Sequence, residues 1–180
     1  MKRIRHLLAV LLALVNASAG AASPGVVYRN PQSYAELPAS IAAALTKEGC
    51  RIPQGTIDGK IVASNVISGS FAKKGQSDWA ILCSKNGRQY IKVFWGGSAR
   101  CTSRIDKGPV MSDDEIKQGL EFDRAIDTVD RKFILDHYEA YGGPKPPEIT
   151  HLGINYEFLE KASVVHYCYE GQWLELTGAD

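Results

Sequence analysis

The chain has 180 residues, with 21 Lys and Arg against 20 Asp and Glu, four His and four Cys, and 44% of its residues hydrophobic. A balance this close to neutral lacks the concentrated basic face that nucleic-acid binding needs to displace counterions, so that class is set aside. The length suits one ordinary domain with a sizeable core.

The opening, MKRIRHLLAVLLALVNASAGAAS, has three basic residues (Lys2, Arg3, Arg5), an apolar run from Leu7 to Val15, and small residues ending in Ala17-Ser18-Ala19 or Ala19-Gly20-Ala21. This is the pattern of a secretory signal peptide over residues 1–22. The apolar run is about half of the ~20 residues that a spanning helix needs, and no second long apolar run follows, so no membrane span is expected. Removing residues 1–22 takes away three basic residues and no acidic ones, which turns a net charge of +1 into minus two. A periplasmic or secreted location follows. All four cysteines, Cys50, Cys83, Cys101 and Cys168, lie in the exported part, and an even count in an oxidising compartment favours disulfides over thiols or metal.

Residues 23–36 show no sustained period and read as a flexible lead-in to a single domain over residues 37–180. In LPASIAAALTKEGC, Ser40 offers an N-cap, Ile41, Ala44 and Leu45 fall at helical spacing, and Gly49 stands where a left-handed C-terminal residue is wanted. Three strand-like runs follow: IVASNVISGSFA, DWAILCS and RQYIKVFWGG. Asn86-Gly87 between the last two is a strong hairpin signal, because both residues tolerate positive φ in a type I′ turn. That turn sets Cys83 opposite Tyr90, Ile81 opposite Lys92 and Trp79 opposite Phe94. Both faces are then largely apolar, as in a hairpin covered on two sides.

Further on, Ser112 and Glu115 match a capping box. DTVDRKFILDHYEAYGG reads as a helix capped at Asp127 or Thr128, with Val129, Phe133, Ile134, His137, Tyr138 and Tyr141 on one broad face and Gly142 with Pro144 as the stop. In the closing segment, Glu170-Gly171 reads as a second hairpin turn, which sets Cys168 opposite Trp173 and His166 opposite Glu175. Helix, strands, helix and hairpin in that order predict an α+β fold: an antiparallel sheet of about five strands, including two hairpins, packed with two principal helices.

The segment GSFAKKGQSDWAILCS resembles one glycine-aspartate loop of the FG-GAP propeller repeats through Gly69, Phe71, Asp78 and Ala80. Calcium needs six to eight oxygen ligands, whereas Lys73, Lys74, Gln76 and Ser77 stand where the acids belong, and the segment does not recur as a propeller requires. It is read as a hairpin loop, with Asp78 bonding to nearby backbone amides. Together with LPASIAAALTKEGCRIPQ and FLEKASVVHYCYEGQWLELTGAD, the same segment resembles a family of exported bacterial proteins of unknown function. That resemblance covers most of the chain beyond the signal peptide. It implies a soluble exported domain and brings neither an activity nor a catalytic residue.

No GxSxG elbow and no activated Cys is present. Among the histidines, His137 reads as a partly buried helix residue. His166 and Cys168 share a strand face as a metal pair would, but Cys168 is better explained by a disulfide; no metal and no cofactor are expected. Helix and hairpin placement favours the pairs Cys50 with Cys83 and Cys101 with Cys168. His166 is expected to be protonated more readily than usual by the facing Glu175. Tyr169, beside the second turn, is the candidate exposed contact. These features favour a non-catalytic binding or interaction domain directed at an envelope component or another protein. The alternative is a secreted hydrolase whose site assembles from His151, His166 and Glu175.

Overall fold

The computed structural model describes residues 25–98 and 101–177; the signal peptide expected over residues 1–22 lies outside them. In chain order the elements are β1 (Val27–Arg29), α1 (Ala39–Glu48), β2 (Ile52–Ile57), β3 (Lys60–Ala63), β4 (Val66–Gly69), β5 (Asp78–Lys85), β6 (Arg88–Phe94) and β7 (Arg104–Pro109). They continue with α2 (Asp113–Lys117), β8 (Arg124–Val129), α3 (Arg131–Tyr141), β9 (Gly153–Phe158), β10 (Ala162–Tyr169) and β11 (Gln172–Thr177). The eleven strands make three antiparallel sheets, ordered β1-β2-β3, β4-β5-β6-β7 and β11-β10-β9-β8. The expected α+β fold with one sheet of about five strands is therefore corrected to a predominantly β architecture with three short helices.

Each sheet is built from consecutive strands, and the two four-stranded sheets pack face to face. Ala80, Leu82, Ile91, Val93 and Ile105 from one meet Ile126, Ile154 and Tyr156 from the other. Successive residues of a strand face opposite ways, so the outer faces need covers of their own. On the β4–β7 sheet, Ile81, Cys83 and Tyr90 pack against Ala42 and Leu45 of α1. On the β8–β11 sheet, Val129, Val165, Tyr167 and Leu176 pack against Ile134 of α3. The layers thus run helix, sheet, sheet, helix. The hairpin β5–β6 is covered on both sides, as its two apolar faces require.

Both hairpins have the register counted from their turns. Asn86 and Gly87 take φ of +51° and +73°, and Cys83 pairs with Tyr90, Ile81 with Lys92 and Trp79 with Phe94. Glu170 and Gly171 take φ of +48° and +83°, and Cys168 pairs with Trp173 and His166 with Glu175.

Other expectations give way to local chemistry. The run Ile61–Ala72 is two strands in two different sheets, because Asn65 intervenes in the left-handed conformation (φ +61°). The Asn65 side chain is buried, donates to the carbonyls of Pro53 and Arg124 at 2.7 and 3.1 Å, and accepts from the amide of Ile126 at 2.9 Å. It ties β2 and β8 to the link at which the chain changes sheets. The segment expected to start the second helix is β8, and Asp130, accepting from the amide of Phe133 at 2.9 Å, is the cap of α3. At α1 the helix begins at Ala39 after Pro38 rather than at Ser40, while Gly49 closes it with φ +80° as anticipated. The lead-in contributes β1, and Tyr34 joins the core beneath α1.

Strand β2, IPQGTI, escapes a sequence reading because it contains both Pro and Gly. Gly55 is needed by close approach: a Cβ there would lie 2.8 Å from the Arg124 carbonyl oxygen. The capping box of α2 is present, with Ser112 and Glu115 bonding each other's backbone amides. Two disulfides, Cys50–Cys83 and Cys101–Cys168, join the link between α1 and β2 to β5 and the loop after β6 to β10. This pairing is the one favoured by the hairpin argument, and such bonds belong to an oxidising, non-cytoplasmic compartment. Among the described residues, no helix is long and apolar enough to cross a membrane.

Candidate functional site

The loop between β4 and β5 is organised by one carboxylate. Asp78 is fully buried; its Oδ2 accepts from the amides of Phe71 and Ala72 at 2.9 and 3.1 Å, and its Oδ1 accepts from Gln76 Nε2 at 2.7 Å and the amide of Gly96 at 2.9 Å. Four donors satisfy the charge and leave the carboxylate no role as a cation ligand. Among the described residues, no three His, Cys, Asp or Glu side chains converge as a metal site requires.

This braced loop forms one wall of a cleft of about 370 Å³, with Ala72 and Lys73 on one side, Glu148, Thr150 and His151 at the back, and Tyr167 to Glu170 on the other side. The walls are fixed from behind. His151 stacks on Tyr167 with ring centroids 4.2 Å apart and planes at 10°. The amide of Thr150 donates to the Tyr167 hydroxyl at 3.0 Å. His151 Nδ1 and Nε2 lie 2.9 Å from the carbonyl oxygens of Leu152 and Cys168, and Cys168 is itself bonded to Cys101. Both nitrogens are turned to backbone carbonyls, of which a neutral ring can donate to one, so His151 is placed as a brace of the wall. Lys73, Glu148, Glu170 and Tyr169 remain exposed at the rim, with Tyr169 38% accessible.

The other two candidate residues lie across the sheet. His151 stacks on Tyr167, which points toward α3, whereas His166 faces the opposite way, between the two four-stranded sheets. His166 is fully buried, and neither ring nitrogen has a hydrogen-bond partner among the described residues. Its Nδ1 lies 3.5 Å from Glu175 Oε1. The structure therefore brings His166 and Glu175 together, as the register requires, and separates both from His151 by the thickness of a sheet. The three do not form one site.

The expectation that Glu175 makes His166 easier to protonate is corrected. Burial, with a further contribution from the Lys107 charge, pushes His166 down to about 3. Glu175 is more than half exposed, and its water-screened charge is outweighed by the cost of burying an imidazolium. At neutral pH the pair is a neutral ring beside a carboxylate, not an ion pair.

Lys107 is the residue that sequence reasoning missed. In the β6–β7 ladder Gln89 pairs with Gly108 but Tyr90 pairs with Asp106, so Lys107 is the extra residue of a bulge, with Gly108 at φ +82° beside it. Ile105 faces the core between the two sheets, and Lys107, two residues on, faces the same way by strand alternation, to lie 4.9 Å from the centroid of the Tyr156 ring and 3.9 Å from Glu175 Oε1, with only 9% of the side chain accessible. Burial lowers Lys107 to about 8 against the opposing pull of Glu175.

No protein-family model, no curated protein and no solved structure matches the chain. The functional reading rests on these geometries.

Proposed function

We propose that this is an exported, periplasmic or secreted binding domain that docks a polar segment of a cell-envelope partner in the cleft between the β4–β5 loop and the end of β10. The observation that carries this reading is a cleft whose walls are locked before any ligand arrives. Asp78 fixes one wall, and the His151–Tyr167 stack and the Cys101–Cys168 bond fix the other. A preformed site spares a ligand the cost of ordering the protein, and the volume lies within the ordinary range for small-ligand sites. Exposed groups of both signs at the rim, Lys73 against Glu148 and Glu170, suit a partner that carries both charges. Tyr169 supplies a large contact with little rotamer entropy to lose.

A hydrolase needs a base within reach of its proton. Both His151 nitrogens are turned to backbone carbonyls 2.9 Å away, and His166 is sealed in the core, which favours binding over catalysis at these residues.

Capture from the protein's own cell envelope tests the proposal. Wild-type mature protein and the remote surface variant Val62→Ser should retain a partner that Tyr169→Ala and Lys73→Glu lose. Retention by the cleft variants, or no partner at all, contradicts it.

A further inference from the structure

A hollow of about 190 Å³ lies where the link between α1 and β2 meets the β5–β6 turn, lined by Tyr28, Gly49, Arg51, Ser84, Lys85 and Asn86. It shares no lining residue with the cleft. Its walls are locked. Cys50 is bonded to Cys83, and beside that bond Arg51 and Ser84 exchange backbone hydrogen bonds at 3.0 and 2.7 Å. The Arg51 guanidinium lies over the Tyr28 ring, 4.1 Å from its centroid, and stacking of this kind holds the plane of the fork while leaving its edge open. Lys85 lies across Gly49, its Cε 3.7 Å from where a β-carbon would stand. Elsewhere on the chain, surface cations find carboxylates: Arg104 meets Asp106, Lys161 meets Asp123 and Lys92 meets Glu48. Among the described residues, neither Arg51 nor Lys85 forms an ion pair. Lys85 is moreover paired across the turn with Arg88, and like charges directly opposed cost stability. The fold thus gathers three cations at one corner without a counter-charge.

We propose that this hollow binds the phosphate group of a phosphate monoester. The charge of such a group, about −1.5 to −2 at neutral pH, matches the two cations that line the hollow. Its oxygens accept paired hydrogen bonds from the Arg51 fork, the geometry in which arginine holds phosphate best, and Lys85 supplies donors from a second side. The hydroxyls of Tyr28 and Ser84, 3.5 Å apart, stand at the same wall. The volume falls below the roughly 300 Å³ at which sites for whole drug-sized molecules begin, so the hollow takes the phosphate and leaves the rest of the ligand outside. Recognition is therefore of a group that a soluble phosphate ester and a lipid with a monoester headgroup both carry. The site stands whether or not the cleft binds its partner.

The test is an NMR titration of the disulfide-intact, nitrogen-labelled protein with glycerol 3-phosphate, with glycerol as the control. Saturable shifts are expected at Arg51 Nε and at the amides of Lys85 and Asn86, half complete at about 1 mM or below, and none with glycerol. Arg51→Ala and Lys85→Ala change exposed side chains and keep the backbone bonds of the wall; each should weaken binding about tenfold or more. Lys145→Ala, at an exposed lysine beyond α3, should leave it unchanged. Sedimentation with vesicles separates the two sources. Pelleting with phosphatidylcholine that carries phosphatidic acid, lost in Arg51→Ala, assigns the site to a lipid headgroup, and glycerol 3-phosphate binding without pelleting assigns it to a soluble ester. No saturable shift up to about 10 mM, or binding that both hollow variants leave unchanged, overturns the proposal.

Discussion

Replacing His166 with leucine should flatten the acid side of the stability curve. The unfolded histidine titrates near 6.5, whereas the folded one is held down to about 3. Protons therefore bind the unfolded chain first, and stability falls as pH drops below about 6.5, continuing toward about 3, at up to about 1.4 kcal/mol per pH unit. Between about pH 7 and about pH 5 this one residue should cost about 2 kcal/mol. The window lies above most carboxylate titrations and below that of Lys107, so neither contributes much to the difference. His166→Leu should lose about 2 kcal/mol less than wild type over that interval. At neutral pH the variant should be no less stable, because the ring it removes satisfies neither nitrogen. Urea unfolding with the disulfides intact, followed by tryptophan fluorescence at the two pH values, gives the comparison. Parallel losses in the two proteins would refute the claim that His166 is buried neutral.

Three further outcomes are expected. Cys101→Ser with Cys168→Ser opens a bond that spans 67 residues and should cost about 4 kcal/mol in the chain-entropy model, measured by urea unfolding. Asp78→Asn turns an acceptor toward groups that are all donors and should cost about 3 kcal/mol, seen as a lower Tm. Asn65→Ala loses three hydrogen bonds and puts a β-carbon at φ +61°; it should cost about 3 kcal/mol or more by the same measurement.

What the sequence revealed is what short-range rules govern. Asn86-Gly87 and Glu170-Gly171 fixed two hairpin registers, and through them the His166–Glu175 pair. Gly49 and Ser112 marked helix ends by the backbone groups they satisfy. The fold class was missed because strand signals were hidden: Pro53 and Gly55 break the β pattern of β2, Asn65 divides an apparent single strand, and β8 runs directly into the cap of α3. Those strands form because of long-range partners, such as the Arg124 carbonyl that leaves room only for Gly55. The sites divide in the same way. Tyr169 was visible as an exposed aromatic beside a turn, whereas Lys107 lies on β7, which was not among the strands expected, two residues from the core-facing Ile105. The role of His151 depends on two carbonyls, one of them 17 residues away in sequence.

Site-specific crosslinking tests the binding reading most directly. Benzoylphenylalanine is placed at Tyr169, on the rim of the cleft, or at Val62, which is more open still, on β3, and the protein is irradiated in its own cells. A discrete adduct from position 169 that is absent from position 62 and suppressed by Lys73→Glu is the result expected. The same adducts from both positions, or none from position 169, would contradict it.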